Sequence, residues 1–412
     1  MLDLLKNVLW SFPTMALLTG TGIYFTFKSR FYPIRRLGEI IKSVKNAESA
    51  SEISSLRGLM TALGGTVGVG SITGVAYAIT QGGAGALFWM WVSSFFCMML
   101  KYAENYLTVK ESRSRGVRGS AATLLSSMGK KKTAVFFAVC GILASFGSGN
   151  LAQANAFSLA ATEAGANRYA AGILFALLLI PAVLGGQKLI ARVNGVLVPV
   201  AAVLFLSAAL GITIYNYKEI PRAFSDIFRS AFGVSQAGAG FTGAAISLAM
   251  RTGISKGVFS HEAGMGSSPI AHAAASTSPL DAARFGIIEV FADTFAVSTL
   301  TALALLTTHS ESAEEMFFVC FGSAGGILLA PAVGIFAYAA VISWCFYSES
   351  LILFLSKRKI FVALYRTAVI ISAFFGCIYN AESIWSIADI FNALMLFPNL
   401  YALIIRRKEI LY

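Results

Sequence analysis

In the run GTVGVGSITGV, Gly65 to Val75, the hydroxyls of Thr66, Ser71 and Thr73 stand among glycines. Hydroxyls beside unpaired backbone groups suit a carboxylate, an amino group or a small cation; in helices they also bond back to their own carbonyls, which leaves no free chemistry. A second set, FGSGNLAQANA, places Asn150 and Gln153 three apart, on one helix face next to Gly149. Carboxamides offer donors and acceptors to a zwitterion, or join neighbouring helices. A third set runs from Asp293 and Thr294 to Ser298, Thr299 and Thr301, a polar stripe for protons or sodium, or for bonds between helices. Glu104, Glu289 and Asp389 are further carboxylates in apolar surroundings, and Glu104, three residues after Lys101, fits a structural ion pair.

Other chemistries fail on spacing. GVGSITG has Thr73 where a dinucleotide fingerprint needs its third glycine, and no strand precedes it. His261-Glu262 opens like a zinc protease motif, but position 265 is Met and no third ligand accompanies His272. His261 reads as a surface or packing histidine near the membrane interface. The five cysteines show no CxxC pair and read as small hydrophobes. The expectation is a protein that is not an enzyme, with no metal centre and no bound cofactor.

The elements that must carry these residues are membrane helices. The chain is 57% hydrophobic and 13% charged, against roughly 25% charged in a soluble domain. Apolar stretches long enough to cross a bilayer follow one another at roughly 7-27, 58-81, 84-109, 133-161, 169-186, 194-216, 236-255, 285-308, 326-350, 360-378 and 384-405. That is an all-α integral membrane protein of about 11 transmembrane helices. The first stretch is too long for a signal peptide and lacks a small-residue cleavage pattern. Lys and Arg crowd alternate loops, 28-57 and 110-132 foremost. This bias puts the N-terminus outside and the C-terminus in the cytoplasm, and it accounts for the net charge of +12 without nucleic acid.

After the first span, residues 58-216 and 217-412 each hold five spans, and an odd number per half inserts the second half upside down. Residues 1-57 add one helix and a basic loop. Each half opens on a glycine-interrupted segment, GTVGVGSITGV and the run from Phe232 through GAGFTGAAISLAMRTG. Broken helices at matching positions point to a midplane binding site. Close helix packing is the other reading for Gly64, Gly68 and Gly243.

The runs LMTALGGTVGVGSITGVAYAITQGGAGALFWMWV, FGSGNLAQANAFSLA, GISKGVFSHEAGMGSSPIAHAAA, EVFADTF and SIADIFNALMLFPNL resemble the alanine/glycine:cation symporters of the amino acid-polyamine-organocation superfamily. The resemblance covers nearly the whole chain and implies a leucine-transporter-type fold, two inverted five-helix repeats after one extra N-terminal helix. It implies import of alanine or glycine with a cation, by a multi-pass protein of the bacterial inner (plasma) membrane. Carried over, it assigns substrate contacts to Gly149, Asn150 and Gln153, with Ser71, Thr73, Phe232 and Trp344 contributing. Phe232 and Trp344 would wall a pocket for a side chain no larger than methyl, although Trp344 also fits an interfacial anchor.

The chain departs from the resemblance in informative places. Ser71 stands where Asn is usual, His261 where Asn is usual, and VRGSAATLL where a Gly-Gly-Pro motif is expected. Ala339-Ala340 replaces a Ser-Thr pair that the resemblance assigns to sodium together with carbonyls near Val67 and Gly70. Two hard oxygen ligands are thereby lost, so protons compete with sodium as the coupled ion. The expectation is therefore a small-amino-acid symporter using Na+ or H+, monomeric or weakly oligomeric, with a proton-coupled or uncoupled permease, or a membrane amino-acid sensor, as alternatives.

Overall fold

The computed structural model describes residues 2–47, 53–233, 243–275, 277–379 and 381–412, and among these every regular element is helical. In order they are α1 (Leu2–Leu9), α2 (Phe12–Lys28), α3 (Tyr32–Arg35), α4 (Leu37–Lys45), α5 (Ser55–Thr66), α6 (Thr73–Gly82), α7 (Gly85–Arg115), α8 (Ala121–Ser127), α9 (Lys131–Phe146) and α10 (Ala152–Glu163). There follow α11 (Arg168–Tyr215), α12 (Ile220–Ala231), α13 (Gly243–His261), α14 (Pro269–Ala274), α15 (Pro279–Val290), α16 (Thr299–Thr308), α17 (Ala313–Phe321), α18 (Ala324–Leu355), α19 (Lys359–Ile378) and α20 (Ala381–Ile405).

Among the described residues, seven helices are long and apolar enough to cross a membrane, or eight if the bent pair formed by α5 and α6 is one span. Among the described residues, helices occupy each stretch expected from hydropathy, that at 58-81 as the bent pair and that at 236-255 from Gly243 onward. Of the two expected stretches outside that group, α2 has only 17 residues and α13 carries Arg251, Lys256 and His261. The long α11 is two helices meeting at Gly186, whose φ of 71° and ψ of −172° break the ladder where the sequence ends one span.

Local chemistry sets the helix ends. Ser54 and Ser278 cap α5 and α15 by accepting from Arg57 N (3.3 Å) and Asp281 N (3.1 Å), and Asn167 caps α11 through Tyr169 N at 2.9 Å. The core packs α7 along α15, α13 and α2, while α18 lies against α11, α10 and α9. Two spans are locally underwound: Gly147–Leu151 and Phe291–Ser298 are π-helical and join α9 to α10 and α15 to α16. Such π segments widen a helix by one residue per turn and often mark functional positions. Here they fall on the FGSGN and FADTF runs.

The glycine-interrupted segment expected to open the second half lies largely at residues 234–242, outside the described residues.

Candidate functional site

The second expected span, 58-81, breaks at its glycine run. After Thr66 the backbone leaves the helix at Val67 (φ −80°, ψ 84°) and Gly68 (φ −128°, ψ −156°), makes one 310 turn over Val69–Ser71, and resumes as α6. The two halves meet at a bend of 51°. Amides released by such a break need partners in a buried setting. Val69 N finds one in Gln153 Oε1 at 3.3 Å, while Gln153 Nε2 donates to Ser148 O at 3.0 Å. The carboxamide thus ties the broken span to the π segment of the α9–α10 span. Ala340 borders the same spot, because a Cβ added at Gly68 would lie 3.1 Å from Gln153 Oε1 and 3.5 Å from the Ala340 Cβ.

Gly149 meets Trp344 on the other side of this seam. A Cβ there would sit 2.4 Å from Trp344 Cγ, so the indole lies flush on bare backbone. Trp344 is buried and packs edge-on against Tyr347 at 5.7 Å between ring centroids. A buried indole is a wall of the core, and the interfacial-anchor reading does not describe it.

Ser71 turns to the opposite side. Its Oγ donates to Asp293 Oδ1 at 2.5 Å and lies 3.0 Å from Ser260 Oγ, which itself donates to Asp293 Oδ1 at 2.7 Å. Thr294 Oγ1 donates to Asp293 Oδ2 at 3.3 Å and accepts from Ser94 Oγ at 3.1 Å. All five residues are buried. The result is one carboxylate ringed by hydroxyls from the broken span, α13 and the second π segment. Thr66, by contrast, bonds back to Ala62 O and Leu63 O, at 3.1 and 3.3 Å.

The expected substrate residues therefore separate. Val67, Gly70 and Ser71 form the break, which Gln153 and Ala340 border; Gly149 and Trp344 meet each other, Ala339 is buried on α18, and Thr73 is half-buried in the first turn of α6. Asn150 points away: its Nδ2 donates to Val369 O (2.8 Å) and Ser372 Oγ (2.7 Å) on α19. Asn155 likewise donates to Gly376 O and Tyr379 O. Phe232 packs on Phe88 (5.1 Å) and Trp89 (6.4 Å), where α12 ends against the start of α7. Its position follows from Gly85, which admits the Ala231 backbone so closely that a Cβ would lie 2.2 Å from Ala231 N.

Other buried charged groups have defined partners among the described residues. Lys101 donates to His261 O at 2.9 Å and faces Glu289 at 3.4 Å, and Glu289 in turn contacts His272 Nε2 at 2.6 Å. Glu104 is not the partner of Lys101 that its spacing suggests. Its Oε2 accepts from Gly264 N and Gly266 N, both at 3.1 Å, and from Asn399 Nδ2 at 2.8 Å. It thereby fixes the loop of the SHEAGMGSSPIAH run, where Glu262, Gly264 and Gly266 have positive φ. His261, the last residue of α13, is buried rather than on the surface, and its Nδ1 accepts from Ala263 N at 3.0 Å. Lys256 and Asp389 form a buried pair at 2.8 Å beneath the rings of Tyr77 and Phe259.

Glu104→Ala is expected to leave three buried N–H donors without an acceptor, at roughly 1–3 kcal/mol each. Thermal melting in detergent should fall by many degrees, and Glu104→Gln, which keeps one acceptor oxygen, should fall less. Equal melting temperatures for wild type and Glu104→Ala would remove this role.

Ser260 is the site residue that spacing did not single out. It immediately precedes His261 in the most distinctive run of the chain, but only the fold brings it to Asp293.

Comparisons with known proteins agree with this architecture. The solved structure of MhsT in complex with L-phenylalanine superposes with a TM-score of 0.61 at 16% identity, covering 85% of this chain and 88% of that one. The chain is 36% identical over 432 residues to the sodium/alanine symporter AgcS of Methanococcus maripaludis, covering 98% of this chain and 94% of the relative. It is 33% identical over 423 residues to a probable sodium/glutamine symporter, GlnT of Bacillus subtilis, covering 98% and 87%. The family model described as "Sodium:alanine symporter family" matches residues 1–411, and the chain belongs to that family.

Proposed function

We propose that this cation-coupled amino-acid transporter imports alanine or glycine across the plasma membrane by alternating access, with its N-terminus outside and its C-terminus in the cytoplasm. The observation that carries the substrate reading is the broken span, with unwound backbone facing Gln153, Ala340 and the Trp344–Gly149 contact. Unwound amides and carbonyls address the carboxylate and ammonium of an amino acid. The tight Trp344–Gly149 and Gly68–Ala340 packing favours a small side chain. Residues 58-216 and 217-412 serve as the two halves that move about this point, and one chain supplies all the proposed site residues, so the working unit is the single chain.

Counterflow in proteoliposomes preloaded with alanine tests the reading. Labelled alanine and glycine should exchange, and glutamine should not. Failure of all small amino acids to exchange would overturn transport by this site, and a preference for glutamine would overturn the size argument.

Asp293 with its hydroxyls is our candidate seat for the coupled cation. A carboxylate buried at membrane depth is costly unless a cation or proton neutralises it. Among the described residues Asp293 forms no ion pair, and the ammonium of buried Lys101 is committed to His261 O and Glu289. The sodium position that the resemblance assigns to Val67, Gly70, Ala339 and Ala340 offers no side-chain oxygen in this chain. Both alanines are buried on α18. Restoring Ser-Thr with Ala339→Ser plus Ala340→Thr is expected to raise the sodium dependence of uptake about fivefold or more, as two added oxygen ligands strengthen a hard-cation site. Unchanged sodium dependence in a folded variant would detach these positions from the ion.

A further inference from the structure

We propose that the basic cavity between the ends of α7 and α18 binds the phosphate-bearing headgroup of an anionic phospholipid. The cavity holds about 500 Å³ and is roofed by α8 and the loop before it. Arg115, Arg118 and Lys357 line it, no carboxylate does, and Leu353 and Phe354 form an apolar side.

Arg115 and Arg118 lie three residues apart, at the end of α7 and in the loop after it, and Lys357 follows α18, so the fold brings the third cation to the other two. Each has a defined relation to its surroundings. Arg115 shares Glu111 with Arg406, whose Nη1 lies 2.6 Å from that carboxylate and which is also paired with Glu409, so Glu111 is divided between two guanidinium groups. Arg118 is positioned by a neutral partner: Nη1 donates to Gln187 Oε1 at 2.9 Å, and Gln187 Nε2 is anchored on α18 at Phe346 O (3.1 Å) and Ser350 Oγ (2.8 Å). A neutral anchor aims the guanidinium without discharging it. Lys357 has no ion-pair partner among the described residues, and the hydroxyl of half-buried Ser126 adds a neutral donor to the wall.

Three like charges around one open space repel one another unless an anion joins them, and a phosphate with several acceptor oxygens is the group that such a set of donors suits. The apolar side selects between free phosphate and lipid. Leu353 and Phe354 continue toward exposed Leu355 on α18, a surface for the glycerol and first acyl carbons next to the phosphate. The cavity also opens at the lysine- and arginine-rich end of the bundle, the membrane surface at which anionic headgroups meet basic side chains. Its volume falls within the usual range for small-molecule pockets.

The test uses the full chain, delipidated in detergent, titrated separately with phosphatidylglycerol, phosphatidylcholine and inorganic phosphate, and read by melting temperature and native mass spectrometry. Phosphatidylglycerol should bind and raise the melting temperature, and the other two should not. Arg118→Gln with Lys357→Gln should weaken the apparent affinity about tenfold or more, whereas Arg358→Gln with Lys359→Gln, equal in charge but outside the lining, should change it less than about twofold. Arg118→Lys with Lys357→Arg, which keeps the charge, should retain binding and controls for folding. Undiminished binding by the first pair, or equal loss in the first two pairs, would overturn the site, and inorganic phosphate binding as well as the lipid would overturn the lipid as occupant.

Discussion

Asp293→Asn is expected to abolish ion-driven accumulation of alanine while leaving counterflow exchange within about twofold of wild type, because coupling free energies between co-transported ligands amount to roughly 5–150-fold in affinity. The substitution is nearly isosteric. The amide oxygen still accepts from Ser71 and Ser260, and the amide NH2 in place of Oδ2 donates to Thr294, so the hydroxyl ring of the wild type has a partner at every position. What disappears is the negative charge. A cation that no longer gains from this seat no longer raises the affinity for substrate, and by linkage the substrate no longer raises the affinity for the cation. Ser71→Ala, which removes one hydroxyl and keeps the charge, should cost about 1 kcal/mol, or roughly fivefold in ion affinity. The measurement is uptake into liposomes under sodium and proton gradients imposed one at a time. Accumulation by Asp293→Asn equal to wild type under either gradient would remove Asp293 from coupling, and the gradient that drives wild type identifies the ion.

The order of these effects explains what was legible in the sequence. Hydropathy placed the spans because each must bury some twenty apolar residues in lipid, and the helices lie where it put them. The break at Val67 to Ser71 was legible too, since glycines and hydroxyls at membrane depth weaken a helix. Partner choice was not. Asn150 and Gln153 sit three residues apart, yet the π segment at Gly147–Leu151 changes the angle between them, sending one to α19 and the other to the break. Period-based arithmetic assumes 3.6 residues per turn and fails where the turn widens. Glu104 and Lys101 failed for a related reason. Their spacing allows an ion pair, but a buried loop with exposed N–H groups offered the carboxylate more hydrogen bonds than one ammonium would. Ser260 and Asp293 are far apart in sequence, and only the crossing of α13 with the second π segment joins them.

The contact between Gly149 and Trp344 yields the second large effect. In an ordinary helix, glycine to alanine would stabilise by up to about 1 kcal/mol through backbone entropy alone. Here the new methyl would lie 2.4 Å from Trp344 Cγ, 2.5 Å from its Cβ and 2.8 Å from its Cδ2. The methyl meets the root of the side chain rather than a mobile tip, so rotation of the indole alone does not clear it. Either α18 retreats from the π segment or the segment shifts toward Ala388, whose backbone already approaches Gly147. Overpacking of this kind costs roughly 1–3 kcal/mol. Because both routes move Gln153 and Ala340 relative to Gly68, alanine uptake by Gly149→Ala should fall about tenfold or more, through a misplaced wall near the reacting geometry. A Gly149→Ala protein that transports alanine at the wild-type rate would show that this seam is not part of the substrate pocket.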